Sequence, residues 1–452
     1  MKPTTKDAYK LMHEGALALA VVEANGIRID EDRLNANVEL IDQKITEGVE
    51  ALKDDRIWKI WVKEFGSKAN LSSRQQLGYV LFHKLDFKAV NLTPTGRPKV
   101  DMASLEQLGL SWTTTYLDVE RYKKLKNTYL KGIQREVVGG YVHPSFNLNT
   151  TRTFRSSCNA PNFQNQINRS SLAKYIRECF IPRKNHVLVC IDYGALEFRV
   201  AACFWKDKAM VAYANDSDLD IHRDMAAACY LLDCEQVTKR IRFFAKNQFV
   251  FPTLYGSYWK NTARRLWAVM LNEKLELDDG TLLRDHLAAK GITELGDCED
   301  RPIPGTFEHH IYQVESELEE RFPQWASRKK VWWSRYLERG WFRTMTGFVC
   351  RGVMKKNDLY NWPIQGPAFH LLLWSLIRLV GWCKTNPAYI VGQIHDEIVG
   401  DVREDQVENF LKKAKQVMTQ DVRDHWKWVI TQLEVEAVVC RANWFEKEGV
   451  SI

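Results

Sequence analysis

The fold of this chain is decided by residues 186–194, which read HVLVCIDYG. Residues 186–191 form a continuous apolar run that is partly β-branched, and such a run is typical of a strand buried on both faces. Asp192 follows at once, so the strand would carry a carboxylate out of the core at its end. The stretch therefore predicts a buried strand with an acidic tip.

A second acidic tip is predicted near the end of the chain. Residues 388–394 and 398–402 have strand-like apolar patterns, and they flank His395, Asp396 and Glu397. Two strands joined by a tight connection have this pattern. Mostly helical patterns separate the two tips, and the combination predicts an α+β fold.

Helical periodicity and turn residues organise the rest of the chain. The predicted helical segments are residues 7–24, 34–65, 104–134, 221–232 and 237–255, with a capped helix start at residues 70–77. The predicted turns and loops are residues 93–98, 278–280 and 291–305. The first third of the chain is thus mostly helical, and it becomes basic towards its end.

The composition is that of a globular protein with several subdomains. A chain of 452 residues is too long for one ordinary core, and 45% hydrophobic with 27% charged residues is a usual globular balance. The net charge of +7 permits a polyanionic partner without requiring one. Residues 121–131 gather cations around Tyr122 and Tyr129. This pattern fits either a phosphate-tracking surface or a solvated helix face.

Cysteine spacing and hydropathy exclude several other classes of protein. The ten cysteines form no CxxC pair, so they predict free and mostly buried thiols rather than a disulfide framework or a zinc site. The first residues lack the apolar core of a secretory signal, and there is no run of about 18 apolar residues to span a bilayer. We therefore expect a cytoplasmic protein, of a bacterial cell or a virus-infected host cell, without a membrane partner.

The acidic tips suggest phosphoryl-transfer chemistry. Two magnesium ions about 4 Å apart neutralise the charge that develops in such a reaction, and they require carboxylates on rigid supports. Asp192 and the pair Asp396–Glu397 are the best candidates for this role. Read locally, each tip has another explanation: an aspartate that ends a strand is often a turn or cap residue, and an acidic hairpin tip is often only solvated.

An ordered set of motifs resembles family A DNA polymerases. Residues 189–199 resemble their motif A and residues 393–399 their motif C. Arg242, Lys246, Phe251, Tyr255 and Gly256 resemble motif B, the fingers helix that carries the incoming nucleotide. Further matches in the same order are residues 70–78, 125–129, 153–165, 220–222, 361–366 and 443–444.

The resemblance implies a right-hand fold and a reaction. The subdomains would be residues 1–37 packed on the palm, 38–140 as thumb, 141–206 as palm, 207–355 as fingers and 356–452 as the second part of the palm. The implied activity is template-directed addition of dNTPs to a primer 3′ end with release of pyrophosphate. It would use two Mg²⁺ ions, for which Mn²⁺ could substitute. RNA-templated DNA synthesis and a non-catalytic nucleic-acid-binding protein are the alternatives.

The resemblance also implies how the metals and the triphosphate would be held. Asp192 and Asp396 would ligate both ions with the carbonyl of Tyr193, and Glu397 would be an auxiliary acid near the primer end. The triphosphate would be held by Arg242 and Lys246, one helical turn apart, and by His222. Lys246 would also protonate the departing pyrophosphate. Without the resemblance, these cations read as a solvated helix face, and the histidine as a cap or core residue.

Sugar, base and DNA contacts follow from the same matches. Glu197 would exclude a ribose 2′-hydroxyl, Phe251 would face the 3′ side of the sugar and discriminate against dideoxynucleotides, and Tyr255 would stack near the templating base. Arg155, Asn361 and Gln365 would donate to the minor-groove acceptors that all correct base pairs share. The remaining residues implied to contact DNA are Asn165, His395, Lys126 and Asn127.

The sequence departs from the family pattern at four places. Phe251 follows Lys246 by five residues where four are usual, and Pro252 comes next. One extra residue predicts a π-bulge or kink between Lys246 and Tyr255, and it leaves Phe249 as a second candidate for the sugar-facing ring. The other departures are Phe154 for glycine, Ala195 for glutamine and Asn357 for arginine; the last predicts fewer cationic contacts near the primer strand.

The remaining expectations concern proofreading and partners. No room for an exonuclease segment with a DxE motif precedes the polymerase motifs, so we expect no 3′–5′ exonuclease on this chain. Primer–template DNA and dNTPs are the expected partners of a monomer. A replicative helicase, a primase or a separate exonuclease are further candidate partners.

Overall fold

The computed structural model describes residues 2–93, 95–166, 171–296 and 301–452. The helices are α1 (Thr5–Asn25), α2 (Glu31–Asp54), α3 (Arg56–Phe65), α4 (Arg74–Tyr79), α5 (Met102–Gln107), α6 (Ser111–Lys124), α7 (Lys131–Glu136), α8 (Ala173–Arg177), α9 (Leu196–Trp205), α10 (Lys208–Ala214), α11 (Ile221–Tyr230), α12 (Lys239–Ala245), α13 (Phe251–Leu254), α14 (Trp259–Asn272), α15 (Leu283–Ala289), α16 (Phe307–Arg321), α17 (Pro323–Arg339), α18 (Lys356–Cys383), α19 (Val407–Lys415) and α20 (Val422–His425). The strands are β1 (Ile27–Ile29), β2 (Tyr141–Val142), β3 (Ser145–Asn147), β4 (Ser157–Asn159), β5 (Phe180–Ile181), β6 (His186–Tyr193), β7 (Trp341–Arg343), β8 (Val349–Arg351), β9 (Ala388–Ile394), β10 (Glu397–Arg403), β11 (Val435–Cys440) and β12 (Glu448–Val450).

A five-stranded antiparallel sheet forms the centre of the molecule, with strand order β12-β11-β6-β10-β9. The predicted buried strand is confirmed as β6, whose residues 187–191 are buried and whose Asp192 is exposed. The predicted pair of strands is confirmed as β9 and β10. Because β6 pairs with β10, the two acidic tips lie side by side in the sheet. The spacing of the sequence alone does not establish this.

The longest helix covers this sheet. Helix α18 contacts α1, α9, β9 and β10, and most of its residues from Leu359 to Val380 are buried. It is long and apolar enough to cross a membrane by length and composition, but 72% of the apolar window lies inside the protein. That burial is typical of the core helix of a globular protein.

A smaller apolar core is separate from the main one. It is formed by the end of α2, by α3 to α6 and by their connections, around Leu52, Trp61, Leu77, Trp112 and Tyr116. The main core runs continuously from α1 through the central sheet to α11–α17. A helical subdomain with its own core therefore precedes β6 in the chain.

Two of the predicted long helices are interrupted, and the prediction of single helices was wrong there. The pattern over residues 34–65 forms α2 and α3, because Asp55 has extended backbone and its carboxylate accepts from the N–H of Ile57, which starts a new helix. The pattern over residues 104–134 breaks after α5, where Gly109 has a φ of 64°. Periodicity alone does not register such breaks.

Other local predictions agree with the structure. Helix α1 ends at Gly26, which has a φ of 58°, and Ser73 caps α4 by accepting from the N–H of Gln76. Nine cysteines are free in the described part of the chain, and seven of them are buried. Cys298, Pro94 in the predicted turn 93–98, and residues 297–300 of the predicted loop 291–305 lie outside the described residues.

Candidate active site

A cavity of about 380 Å³ opens where the tips of β6 and of the β9–β10 hairpin meet. Helices α9, α12, α13 and α18 close its other sides. Ten of the predicted site residues line it: Arg155, Asp192, Glu197, Lys246, Phe251, Tyr255, Gln365, His395, Asp396 and Glu397. Side chains from five distant segments of the sequence are thus brought together.

Backbone pairing fixes the carboxylates at this point. Asp192 lies directly opposite Glu397 in the β6–β10 ladder, and the N–H of Tyr193 donates to the carbonyl oxygen of Asp396 at 3.3 Å. His395, at the hairpin tip, has a φ of 54°, a left-handed conformation that turns the chain within two residues. The positions of the acidic groups therefore depend on the strand register and not on flexible loops.

The electrostatics of the tips favour a bound cation. The Asp192 side chain is exposed to the cavity, but the protein around the carboxylate desolvates it and raises its pKa well above the usual range, and the neighbouring charges of Asp396 and Glu397 raise it further. Burial also raises the pKa of Glu397, against the opposing effect of the Lys447 and Arg177 charges. A divalent cation would reduce the repulsion between these carboxylates at the mouth of the cavity.

The donor set fits magnesium better than a metal enclosed by protein ligands. Within residues 2–93, 95–166, 171–296 and 301–452, no group of three or more His, Cys, Asp or Glu side chains forms a complete metal site. Mg²⁺ is usually held by one or two carboxylates, with waters and substrate phosphates as the other ligands. The Tyr193 side chain is buried and its hydroxyl is bonded to Ser375 and Met418, so only its main chain can serve as a ligand.

Glu197 is held between two other predicted residues. The hydroxyl of Tyr255 donates to its carboxylate, and Arg155 Nη1 lies 3.5 Å from Glu197 Oε1. Burial raises the pKa of Glu197, while Arg155 and Tyr255 lower it. The three side chains join the end of α13, the start of α9 and the segment before β4 across the cavity.

The predicted bulge between Lys246 and Tyr255 is confirmed. After α12, residues Lys246–Val250 form a π-helical turn, and α13 follows with Pro252 in its first turn. The bulge turns Phe251 into the cavity, whereas Phe249 is fully buried in the core. The alternative assignment of Phe249 as the sugar-facing ring therefore has no support. Lys246 Nζ lies over the Phe251 ring at 5.3 Å.

Two predicted phosphate contacts, Arg242 and His222, do not line the cavity. Arg242 Nε donates to Asp220 Oδ2 at 2.6 Å, and it lines a neighbouring cavity of about 160 Å³ instead of the larger one. His222 is 1% exposed, and both its ring nitrogens lack a hydrogen-bond partner. Burial, together with the charges of Lys246 and Arg242, lowers its pKa to about 3, so the ring is neutral.

Of the seven predicted DNA contacts, Arg155, Gln365 and His395 line the cavity. Asn361 and Gln365 lie one turn apart on α18, with Asn361 in an adjoining cavity of about 410 Å³ that Asn357 also lines. By contrast, the remaining three contribute nothing to the cavity lining. Asn165 is exposed on a short turn, Asn127 is exposed in the π-helical turn after α6, and Lys126 in the same turn is paired with Asp42 of α2.

Several residues of the site were not predicted. Arg177, Phe243 and Asn247 line the cavity, and Lys447 Nζ lies 3.9 Å from Glu397 Oε2. Arg177 stacks on Trp444 with its guanidinium 4.0 Å from the ring centroid. The match at residues 443–444 was the available signal, because Trp444 Nε1 donates to Cys190 Sγ of β6 at 3.3 Å and holds this part of the chain close to the strand.

A central antiparallel sheet with acidic strand tips, a helical wall across a cleft and a separate helical subdomain are the parts of the right-hand polymerase fold class. The comparisons agree with this class. Over 96% of the chain, the fold matches the POL domain of Pol1 from M. smegmatis, solved in complex with DNA primer–template and dNTP, with a TM-score of 0.74 and 21% identity; the match covers 70% of that chain.

Residues 37–273, more than half of the chain, match DNA polymerase family A, and the chain belongs to this family. The thermostable DNA polymerase I of Thermus filiformis is 28% identical over 448 residues, which are 95% of this chain and 47% of the relative. DNA polymerase I of Bacillus subtilis is 27% identical, over 89% of this chain and 42% of the relative. The chain spans about half the length of the curated relatives it matches.

Proposed function

We propose that this chain is a template-directed DNA polymerase that adds dNTPs to a primer 3′ end and releases pyrophosphate. The observation that carries the proposal is the register of β6 with β10, which puts Asp192, Asp396 and Glu397 at one cavity with Lys246 and Glu197 opposite. Magnesium bound by the two aspartates would neutralise charge on the transferring phosphate and activate the primer hydroxyl.

The cations of the helical wall would orient the triphosphate. Lys246 faces the cavity, and its ammonium can donate a proton to the leaving pyrophosphate oxygen. Arg242 would join it after leaving Asp220, because a triphosphate offers the guanidinium more negative charge than one carboxylate does. Phosphate binding would thus be linked to a movement of α12 towards the sheet.

The choice of sugar would depend on Glu197. Tyr255 and Arg155 hold its carboxylate in the cavity, where it would fill the space that a ribose 2′-hydroxyl needs. Phe251, next to Lys246, would pack on the 3′ side of the sugar. The product would therefore be DNA rather than RNA.

The remaining parts of the proposal concern the nucleic acid. Arg155, Gln365 and Asn361 would donate to the minor groove beside the primer end, and the separate helical core supports a thumb within residues 38–140. The solved POL domain of Pol1 has primer–template DNA and dNTP bound on a similar fold. Fingers at residues 207–355 and a palm at residues 141–206 and 356–452 complete the proposed division. We also expect extension without proofreading by these residues.

Primer extension tests the proposal. The wild type should extend a DNA primer on a DNA template with Mg²⁺ and dNTPs, and Asp396→Ala should abolish extension. Asp405→Ala is the matched control, because Asp405 is exposed just beyond the opposite end of β10, and it should retain activity.

An RNA template in parallel reactions separates the alternatives. Preference for RNA would identify an RNA-templated enzyme, and DNA binding without extension on either template would identify a non-catalytic protein. Synthesis by Asp396→Ala would contradict the proposed mechanism.

A further inference from the structure

A buried histidine behind the cavity has no role in the chemistry described above. His370 lies on α18, five residues after Gln365, and is fully buried. Its ring is stacked on Phe348, with centroids 4.3 Å apart, and Phe348 in turn packs on Phe154 at 4.7 Å. Burial lowers the pKa of His370 to about 3, so the ring is neutral and carries one N–H.

The partners of His370 determine where that proton is. Nε2 lies 3.1 Å from the carbonyl oxygen of Phe154, which can only accept, so Nε2 carries the hydrogen and donates. Nδ1 is then an acceptor, and the hydroxyl of Thr346, 2.6 Å away, donates to it. A neutral histidine in this pocket has only this tautomer available.

The direction of the remaining hydrogen bonds follows from this tautomer. Because the proton of the Thr346 hydroxyl points to His370, the Thr346 oxygen accepts from the hydroxyl of Thr344 at 3.2 Å. Thr344 Oγ1 in turn accepts from the N–H of Phe348 at 3.0 Å. The relay, defined as Phe348 N–H, Thr344, Thr346, His370 and the Phe154 carbonyl, thus runs in one direction from the β7–β8 hairpin to the active-site segment.

The relay ends at the peptide that carries Arg155. The Phe154 carbonyl belongs to the planar unit whose N–H is that of Arg155, so a bond to this oxygen orients the unit before Arg155. The hydroxyl of Thr151 donates to the Arg155 carbonyl at 2.5 Å and orients the unit after it. Arg155 is therefore held on both sides of its Cα, with its guanidinium beside Glu197.

The backbone at Phe154 needs such support. Phe154 has a φ of 60°, a left-handed conformation that favours glycine and is unfavourable for a bulky side chain. The conformation persists where surrounding contacts fix it. Here these contacts are the hydrogen bond from His370 and the stack on Phe348.

We propose that His370 is a positioning residue for nucleotide selection: through the relay it fixes the orientation of Arg155, and Arg155 in turn holds Glu197 in place. The proposal rests on the proposed function for the role of Glu197, and it extends that function to residues that never touch the nucleotide. The relay itself stands on hydrogen bonds and burial, and it can be tested without activity.

Substitution of Thr346 tests the relay without removing the imidazole. Thr346→Val keeps the shape but removes the hydroxyl, whereas Thr346→Ser keeps the donor. We expect Thr346→Val to raise the KM for dNTP by about three- to tenfold and to reduce discrimination against rNTP by a similar factor, with kcat little changed. Thr346→Ser should behave as the wild type.

A matched control separates positioning from general loss of stability. His310, on α16 and outside the cavity lining, also bonds a backbone carbonyl, that of Ala228 at 2.9 Å. His310→Gln should lower the melting temperature without changing the sugar discrimination. Thr346→Val with the dNTP KM and the dNTP/rNTP ratio of the wild type would overturn the proposal.

Nitrogen NMR of protein labelled at histidine and at the backbone amides gives a second readout. His370 should show the neutral Nε2–H tautomer and no titration between about pH 5 and 8. The amide signal of Arg155 should shift in Thr346→Val but not in Thr346→Ser. The other tautomer, a cationic ring, or an unmoved Arg155 signal would overturn the relay. If the wild type extends no primer, the proposed function fails, and these signals still decide the relay.

Discussion

The sheet tips and the helical wall opposite them, which is formed by residues 239–255, hold their functional side chains in different ways. At the sheet, regular strand pairing places Asp192 beside Asp396 and Glu397, whose charges raise its pKa. At the wall, Arg242 is bonded to Asp220 and Tyr255 to Glu197. The sheet is thus arranged in advance for charge that arrives with the substrate. The wall has to exchange internal contacts for substrate contacts, as the closing of a lid does.

The largest effect should come from a cation of the wall that is already directed into the cavity. Lys246→Ala should lower kcat by about 10²-fold or more, because the leaving pyrophosphate loses its proton donor. Arg240→Ala, on the exposed side of the same helix and paired with Glu273, should leave kcat unchanged. Steady-state kinetics of single-nucleotide addition measure both, and equal effects would remove the distinction between the two helix faces.

The next effect concerns the sugar. Glu197→Ala should raise rNTP incorporation relative to dNTP by about 10- to 100-fold, since the side chain that fills the 2′ space is lost. The ratio of kcat/KM for the two nucleotides measures it. An unchanged ratio would show that Glu197 does not select the sugar and would leave Phe251 as the candidate.

A smaller effect tests whether the ion pair between Arg242 and Asp220 competes with nucleotide binding. Asp220→Asn keeps the cap of α11 but weakens the pair with Arg242, so the KM for dNTP should fall about two- to fivefold. Asn is as good a cap as Asp, which makes the melting temperature a control. A rise in KM would show that Asp220 positions Arg242 for the triphosphate instead of competing with it.

The smallest effect concerns the thermal stability of the protein when no metal is bound at the sheet tips. Because desolvation at the cavity and the charges of Asp396 and Glu397 raise the pKa of Asp192, its ionised form is less favourable in the folded protein than in the unfolded chain. The stability that its protonated form contributes is present at low pH and is lost as the pH rises through the raised pKa. With chelator at neutral pH, Asp192→Asn should therefore melt about 1–2 °C above the wild type. The difference should disappear towards about pH 3, where the carboxyl is protonated in both states.

Features that follow from a local sequence pattern could be predicted, and features that depend on single residues or on distant segments could not. Strand β6 and its acidic tip follow from local pattern, and the counted extra residue after Lys246 predicted the π-turn that the structure has. Interruptions at Asp55 and Gly109 were missed because they depend on single residues within strong helical periodicity. Lys447 and the pairing of Arg242 with Asp220 were missed because they join segments distant in the chain, which no spacing reveals.

A crystal of the protein with primer–template DNA, a non-reactive dNTP analogue and Mn²⁺ tests the role of the two aspartates most directly. Anomalous scattering should show two manganese ions about 4 Å apart, bridged by the carboxylates of Asp192 and Asp396 and contacted by the Tyr193 carbonyl. Ions bound elsewhere, or a single ion that touches only one of the two aspartates, would contradict the two-metal mechanism.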